Sequence, residues 1–275
     1  MLYRIHEILL VASPYDAFIL EEDGRLTQQI LYEYLGMNLS YAPRVWHADN
    51  ATAGLKMLSD RSYDLVIVMM RIADMDPITF GEKVKADFPD KPIILLAFDE
   101  SEITALPQAR LNQSIDKVFI WSGNANVFPA IIKNIEDREN LRRDFEIADI
   151  RAIIMVEDDP RYYSIILPRI YRTALKHARS LINKSLSDTD KLFVFRARPK
   201  VILVSTYEEA IALYDNYRHN ILGLISDVRF PKDGELDDHA GVTLASYVRE
   251  KDSDMPIVPV SYTHLRAHET PEHRG

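Results

Sequence analysis

The chain runs through the same order of apolar segments twice, and that repeat constrains its fold more than any other feature. Five short runs come first: Ile8–Ala12, Arg44–Ala48, Asp64–Met70, Pro92–Ala97 and Val118–Trp121. Each is rich in aliphatic or aromatic residues and closed by polar or turn residues, as buried strands are. The segments between them carry helical spacing, as in Phe18, Ile19, Leu26, Ile30 and Leu31. The order then restarts with Ala152–Val156, Lys200–Ser205, Ile221–Ser226 and Pro256–Ser261. Ile8 corresponds to Ile153, an offset of 145 residues, and Met69 to Asp227, an offset of 158. The difference places one insertion at roughly Leu175 to Arg198. Alternating strands and helices demand parallel sheets, and right-handed crossovers put helices on both faces.

The expected architecture is therefore α/β: two flavodoxin-like three-layer domains with parallel sheets in the order 2-1-3-4-5. The second is truncated after its fourth strand. The expected boundaries are 1–148, 149–261 and a tail over 262–275. Tyr15–Leu35 reads as helical, with Gly24 and Gly36 as punctuation, and Phe128–Ile147 as one long helix. The charged run Glu136–Arg143 is either a solvated helix face, with Glu139 and Arg143 at i,i+4, or a rigid helical spacer.

Composition narrows the function. With 33 Lys and Arg against 42 Asp and Glu, the net charge is −9, which argues against nucleic acid or an anionic membrane as a partner. The absence of cysteine excludes disulfides, thiolate catalysis and Cys-ligated zinc. The apolar run near the N-terminus is too short for a signal-peptide core or a membrane span, so a cytoplasmic protein is expected.

The chemistry concentrates in the second repeat. Val156-Glu157-Asp158-Asp159-Pro160 follows its first strand and Ser226-Asp227-Val228-Arg229-Phe230-Pro231 ends its third. In an open parallel sheet, ligands sit beyond the carboxyl ends of the strands where strand order reverses. Glu157, Asp158 and Asp227 should converge there. Three close carboxylates repel unless a cation or proton intervenes, and hard oxygen donors with room for water suit Mg²⁺. Acidic residues capping a helix N-terminus are the plainer reading of Glu157–Pro160. A Mg²⁺-dependent phosphatase would want a second aspartate two residues after Asp227, where Arg229 stands.

VEDDP, DVRFP and PIVPVS together resemble the CheY-like receiver domain of two-component response regulators. The resemblance implies that Glu157 and Asp158 are the acidic metal pair and that Asp227 is the phosphoacceptor, with Pro231 four residues on. It makes the main-chain carbonyl of Arg229 a further metal ligand, and Ser261 the hydroxyl that moves toward the phosphoryl group. Mg²⁺ would be the cofactor and a histidine kinase or phosphotransfer protein the partner, with no catalytic activity of its own beyond phosphoacceptance.

The first repeat lacks this chemistry. Ala12 and Ser13 stand at the acidic pair, Met69 at the acceptor, Ala97 at the hydroxyl and Trp121 where a receiver carries its lysine. Asp74 and Asp76 lie in the following loop and do not replace Met69. This copy is expected to be a docking or homodimerisation module, with Tyr32, Tyr34, Tyr41 and Trp46 as packing aromatics. The alternative is that both copies bind partners without phosphorylation and regulate a downstream catalytic domain.

The pairing of a degenerate and an intact receiver also resembles the N-terminal regulatory region of bacterial PEP-synthase-like proteins, through YRIHEILLVASPYDAFILEEDGRL and RARPK. The end, SYTHLRAHET, resembles translated sequencing adapter, so 262–275 is expected to be non-native. The fifth-strand lysine is then missing and the fourth strand is left as an exposed edge.

Overall fold

A computed structural model describes residues 3–22, 26–36, 42–123, 126–182 and 198–260. The chain forms two compact units. One comprises Met1–Asn140 with Asp159–Phe195, and the other Leu141–Asp158 with Arg196–Gly275.

The first unit is built on five parallel strands: β1 (Glu7–Val11), β2 (Arg44–Ala48), β3 (Leu65–Met69), β4 (Ile93–Ala97) and β5 (Lys117–Ile120). Their order is β2-β1-β3-β4-β5, as the repeat implied. β3 and β4 are buried at every residue because helices cover both faces. On one face Leu9, Val11, Val66, Val68, Ile93 and Leu95 pack under α3 (Ala51–Asp60), α4 (Pro77–Asp87) and α6 (Gln108–Ser114). A short helix, α5 (Glu100–Thr104), follows β4. Alternation sends Ile8, Leu10, Ile67, Ile94 and Leu96 to the other face, where they are also buried.

The segment read as one helix over Tyr15–Leu35 is two, α1 (Pro14–Glu22) and α2 (Leu26–Gly36). The long helix expected over Phe128–Ile147 is also two, α7 (Val127–Glu139) and α8 (Leu141–Glu146). Asn140 makes the break. Its side-chain amide donates to the carbonyls of Tyr3 (2.8 Å) and Glu136 (2.7 Å), and its Oδ1 accepts from Tyr3 N–H (2.7 Å). Such bonds compete with the helical ladder.

Glu136–Arg143 is solvated at Arg138, Glu139, Arg142 and Arg143 only. Glu136, Asp137 and Asn140 are buried, and Lys133 and Glu136 form a buried ion pair at 2.6 Å. Glu136 also accepts from Ile5 N–H (3.1 Å), tying the N-terminal segment to α7. The i,i+4 ion pair on this stretch is Arg142–Glu146, not Glu139–Arg143.

α7 is buried from Val127 to Asp137, and a further helix lies against it. α9 (Pro160–Ile182) follows the first strand of the second repeat in sequence, yet packs on β5 and α7 in the first unit. Tyr163, Leu167 and Tyr171, spaced by four, form its buried stripe, each contributing about 1.5–3 kcal/mol by transfer from water. Its side chains also satisfy the outer edge of β5. Tyr163 OH donates to the Val118 carbonyl, Ile120 N–H donates to Ser164 Oγ (2.9 Å), and the Phe119 and Tyr163 rings meet edge to face at 5.3 Å.

In the second unit β6 (Ala152–Val156), β7 (Lys200–Val204), β8 (Ile221–Asp227) and β11 (Ile257–Val260) form a parallel sheet in the order β11-β8-β6-β7. α10 (Tyr207–Tyr217) and α11 (Ala240–Lys251) supply Ala210, Tyr214, Leu244 and Val248 to its core. β11 is an edge among the described strands, and Val258 on it is exposed. A two-stranded antiparallel hairpin, β9 (Phe230–Lys232) and β10 (Glu235–Asp237), follows β8. Its turn holds Asp233 (φ 55°) and Gly234 (φ 82°), the left-handed pair that tight hairpins require. Part of the expected insertion over 175–198, and the whole tail over 262–275, lie outside the described residues. No helix among those described is long and apolar enough to cross a membrane.

Candidate metal and phosphoryl site

β6 and β8 are neighbours, with Val156 in register with Ser226. The residues that follow each strand therefore leave the sheet side by side. Glu157, Asp158 and Asp227 each bring a carboxylate oxygen within 4.8 Å of the others. Glu157 is buried, and Asp158 and Asp227 are half-buried.

The surrounding backbone fixes this geometry. Glu157 N–H donates to the Val204 carbonyl (3.0 Å) and Ser205 Oγ to the Glu157 carbonyl (3.3 Å), so β7 holds Glu157 in place. Asp227 Oδ1 accepts from Val228 N–H (2.8 Å), and the Asp227 carbonyl accepts from Ser226 Oγ (2.7 Å). Gly241 N–H, at the start of α11, donates to the Val228 carbonyl (3.0 Å). A Cβ on Gly241 would fall 2.2 Å from the Asp227 carbonyl oxygen and 2.9 Å from Val228 Cα. Only glycine lets α11 approach the Asp227 turn this closely.

Of the other residues singled out from sequence, Arg229 lies between β8 and the hairpin, its exposed guanidinium paired with Asp238 at 3.0 Å. Ser261 lies outside the described residues. β11 ends one position before it, with Val260 in register with Asp227.

Two features escaped the sequence reading. One is the hairpin beside the site, although Asp233-Gly234 is a strong hairpin signal. Its turn is held by Asp233 N–H donating to Glu208 Oε1 (2.8 Å), which keeps the Glu208 carboxyl below its usual range. The other is Gly241, whose role is a tertiary contact that no local pattern encodes.

Three carboxylates at this spacing repel, and one is almost wholly removed from water. Their hard oxygen donors, two still open to solvent, fit a Mg²⁺ ion that keeps part of its water shell.

The corresponding corner of the first unit is filled with apolar groups. Ala12, Met69 and Ala97 are fully buried, and Trp121 packs edge to face on Phe98 at 5.4 Å. Ser13 Oγ accepts from Asp16 N–H (3.1 Å), a capping contact. Asp74 accepts from the N–H groups of Ala51 (2.8 Å) and Thr52 (2.9 Å), and the bonding with Thr52 holds its carboxyl below the usual range. Asp76 caps α4 through Thr79 N–H (2.9 Å). Both loop aspartates are thus spent on helix N-termini, and no acidic cluster forms in this unit among the described residues. Of the aromatics expected to pack, Tyr32 is exposed and Trp46 lies under the Arg61 guanidinium (4.2 Å). Nothing is described of the Tyr34 side chain or of Tyr41.

No protein-family model matches the chain, and no curated protein does. Solved structures that match include receiver domains. The signal receiver domain of an HD domain-containing protein from Pseudomonas fluorescens Pf-5 is 24% identical over 51% of this chain and 97% of its own, with a TM-score of 0.36. A CheY-like receiver domain protein from Methanospirillum hungatei JF-1 is 20% identical over 50% and 98%, with a TM-score of 0.39. A response regulator, TrrA from Thermotoga maritima, solved with Mg²⁺-BeF, is 19% identical over 50% and 98%, with a TM-score of 0.31.

Proposed function

We propose that the second unit is a receiver that accepts a phosphoryl group on Asp227 in two-component signalling, and that the first unit is a degenerate receiver for docking or dimerisation. The single observation that carries this reading is the convergence of Glu157, Asp158 and Asp227 at the carboxyl ends of adjacent parallel strands. Glu157 and Asp158, with Asp227 and the Arg229 carbonyl, are the residues that would hold Mg²⁺. When bound, the ion offsets the carboxylate charge and draws in a phosphoryl oxygen.

The chain's own part is positional. Asp227 is held by the Val228 N–H on Oδ1, and its carboxylate would attack phosphorus in line. A new P–O bond forms as the donor's P–N or P–O bond breaks, and the departing imidazole or acetate keeps the electron pair. Ser261 would then contact the transferred group. The donor class is a histidine kinase or phosphotransfer protein, and the output partner is an effector domain of the parent chain.

The test is intact mass after incubation with acetyl phosphate and Mg²⁺, for the wild type and Asp227→Asn. The wild type should gain one phosphoryl group and the variant none. Equal modification of both, or of neither, overturns the assignment and favours binding without phosphorylation.

A further inference from the structure

We infer that the first unit carries a purine-nucleotide site in the cleft between the carboxyl end of β5 and α9. Two cavities, of about 560 and 430 Å³, adjoin there and share Ile120, Ser122 and Ile165 as walls. All of their lining residues belong to this one unit. The inference is independent of Asp227 and its chemistry.

The two compartments differ in character. The larger is lined by Phe98, Ile120, Tyr162 and Ile165, a flat apolar setting for a planar ring. Its polar rim is mixed: the hydroxyls of Ser101, Thr104 and Ser122, the Arg161 guanidinium and two carboxylates. The Asp99 carboxylate, kept below its usual range by the Ser101 hydrogen bonds, and the Glu100 carboxylate lie there. Glu100 is paired with Arg161 at 2.8 Å. A rim that offers both donors and acceptors suits the ring nitrogens and the amino group of a base.

The smaller compartment is the opposite. It is lined by Arg169 and Arg172 with Ser122, Asn126 and Ser164, and no carboxylate lines it. Neither guanidinium has a hydrogen-bond or ion-pair partner among the described residues. Arg169 and Arg172 stand three apart on one helix, where like charges destabilise by a few tenths of a kcal/mol. A phosphate bridging them would reverse that sign through charge-assisted hydrogen bonds. From Tyr162 to Arg172 the helix rises about 15 Å at ~1.5 Å per residue, so ring and anion would lie at opposite ends of an extended ligand. A ring compartment with a mixed polar rim and a separate diguanidinium compartment together describe a nucleotide rather than phosphate alone.

The test is calorimetric titration of the full chain with ATP and, separately, with inorganic phosphate, in EDTA so that the acidic site is kept free of metal. Trp121 is flanked by two lining residues, so quenching in a Trp46→Phe variant, which leaves it as the one tryptophan, gives a second readout. ATP should bind saturably, inorganic phosphate at least tenfold more weakly. The Arg169→Gln/Arg172→Gln double variant, altered at two exposed positions, should lose at least tenfold in ATP affinity. Asp227→Asn should bind as the wild type does. No saturable ATP binding, an unchanged affinity in the double variant, or phosphate binding as tightly as ATP would each overturn the inference.

Discussion

Replacing Asp227 by asparagine should stabilise the protein without Mg²⁺ and deprive it of stabilisation by Mg²⁺. At 4.8 Å and an effective dielectric of ~20, two carboxylates repel by about 3.5 kcal/mol. Asp227 takes part in two of the three pairs. The gross relief is thus large, but it has a ceiling. Holding an ordinary carboxyl neutral at pH 7 costs ~4 kcal/mol, which caps the relief. Solvent at Asp158 and Asp227 lowers the figure again, so the net gain in EDTA should be about 1–4 kcal/mol. At ~2–4 °C per kcal/mol this raises Tm by at least ~2 °C. In the wild type, Mg²⁺ at ten times its Kd adds ~1.4 kcal/mol, and the variant, with one ligand lost, should gain little. Thermal melts of both proteins in EDTA and across a Mg²⁺ series measure each term. A variant less stable than the wild type in EDTA, or equally responsive to Mg²⁺, would show that the three carboxylates are not held together as described.

Further outcomes follow from other contacts. Gly241→Ala improves helix propensity by ~1 kcal/mol in an open helix, but here the added methyl meets the Asp227 carbonyl; we expect a net loss of ~1–3 kcal/mol by urea unfolding and less phosphoacceptance. Glu136→Ala removes a buried ion-pair partner of Lys133 and the acceptor of the Ile5 N–H, and should cost ~3–5 kcal/mol in the same unfolding assay. Asp215 accepts from Lys251 Nζ and Tyr247 OH, which holds its carboxyl below the usual range. A lowered carboxyl stabilises above its unfolded pKa and stops doing so as pH falls through the folded one. Asp215→Asn should thus cost ~0.2–1 kcal/mol at pH 7 and progressively less in acid, as a pH series of melts would show.

The parts that were legible in sequence are those where local pattern and tertiary fate agree. β3 and β4 read as strands because LVIVM and IILLA are apolar at every position and central strands are covered on both faces. The acidic cluster was legible because parallel topology brings the ends of β6 and β8 together whatever the loops do. The break at Asn140 was not, since it depends on Tyr3, 137 residues away. The burial of Glu136 and Asp137 ran against their charge, because Ile5, 131 residues from Glu136, and α9, from beyond Pro160, both meet their helix. Which sheet α9 would join is set by side chains meeting an edge strand, and helical periodicity carries no information about the partner.

The placement of α9 also bears on how the protein is made and how it can be cut. The first unit is discontinuous in sequence, so its last helix leaves the ribosome after the first strand of the second repeat. A fragment ending near residue 148 would contain every strand of the first sheet and still be unfinished. Val118 carbonyl and Ile120 N–H would lose their side-chain partners, Phe119 would lose Tyr163, and α7 would lose the helix that packs on it. An uncovered edge strand invites pairing with another chain. Extending the fragment through Ile182 restores the cover, at the expense of taking the link after Asp158 away from the acidic site.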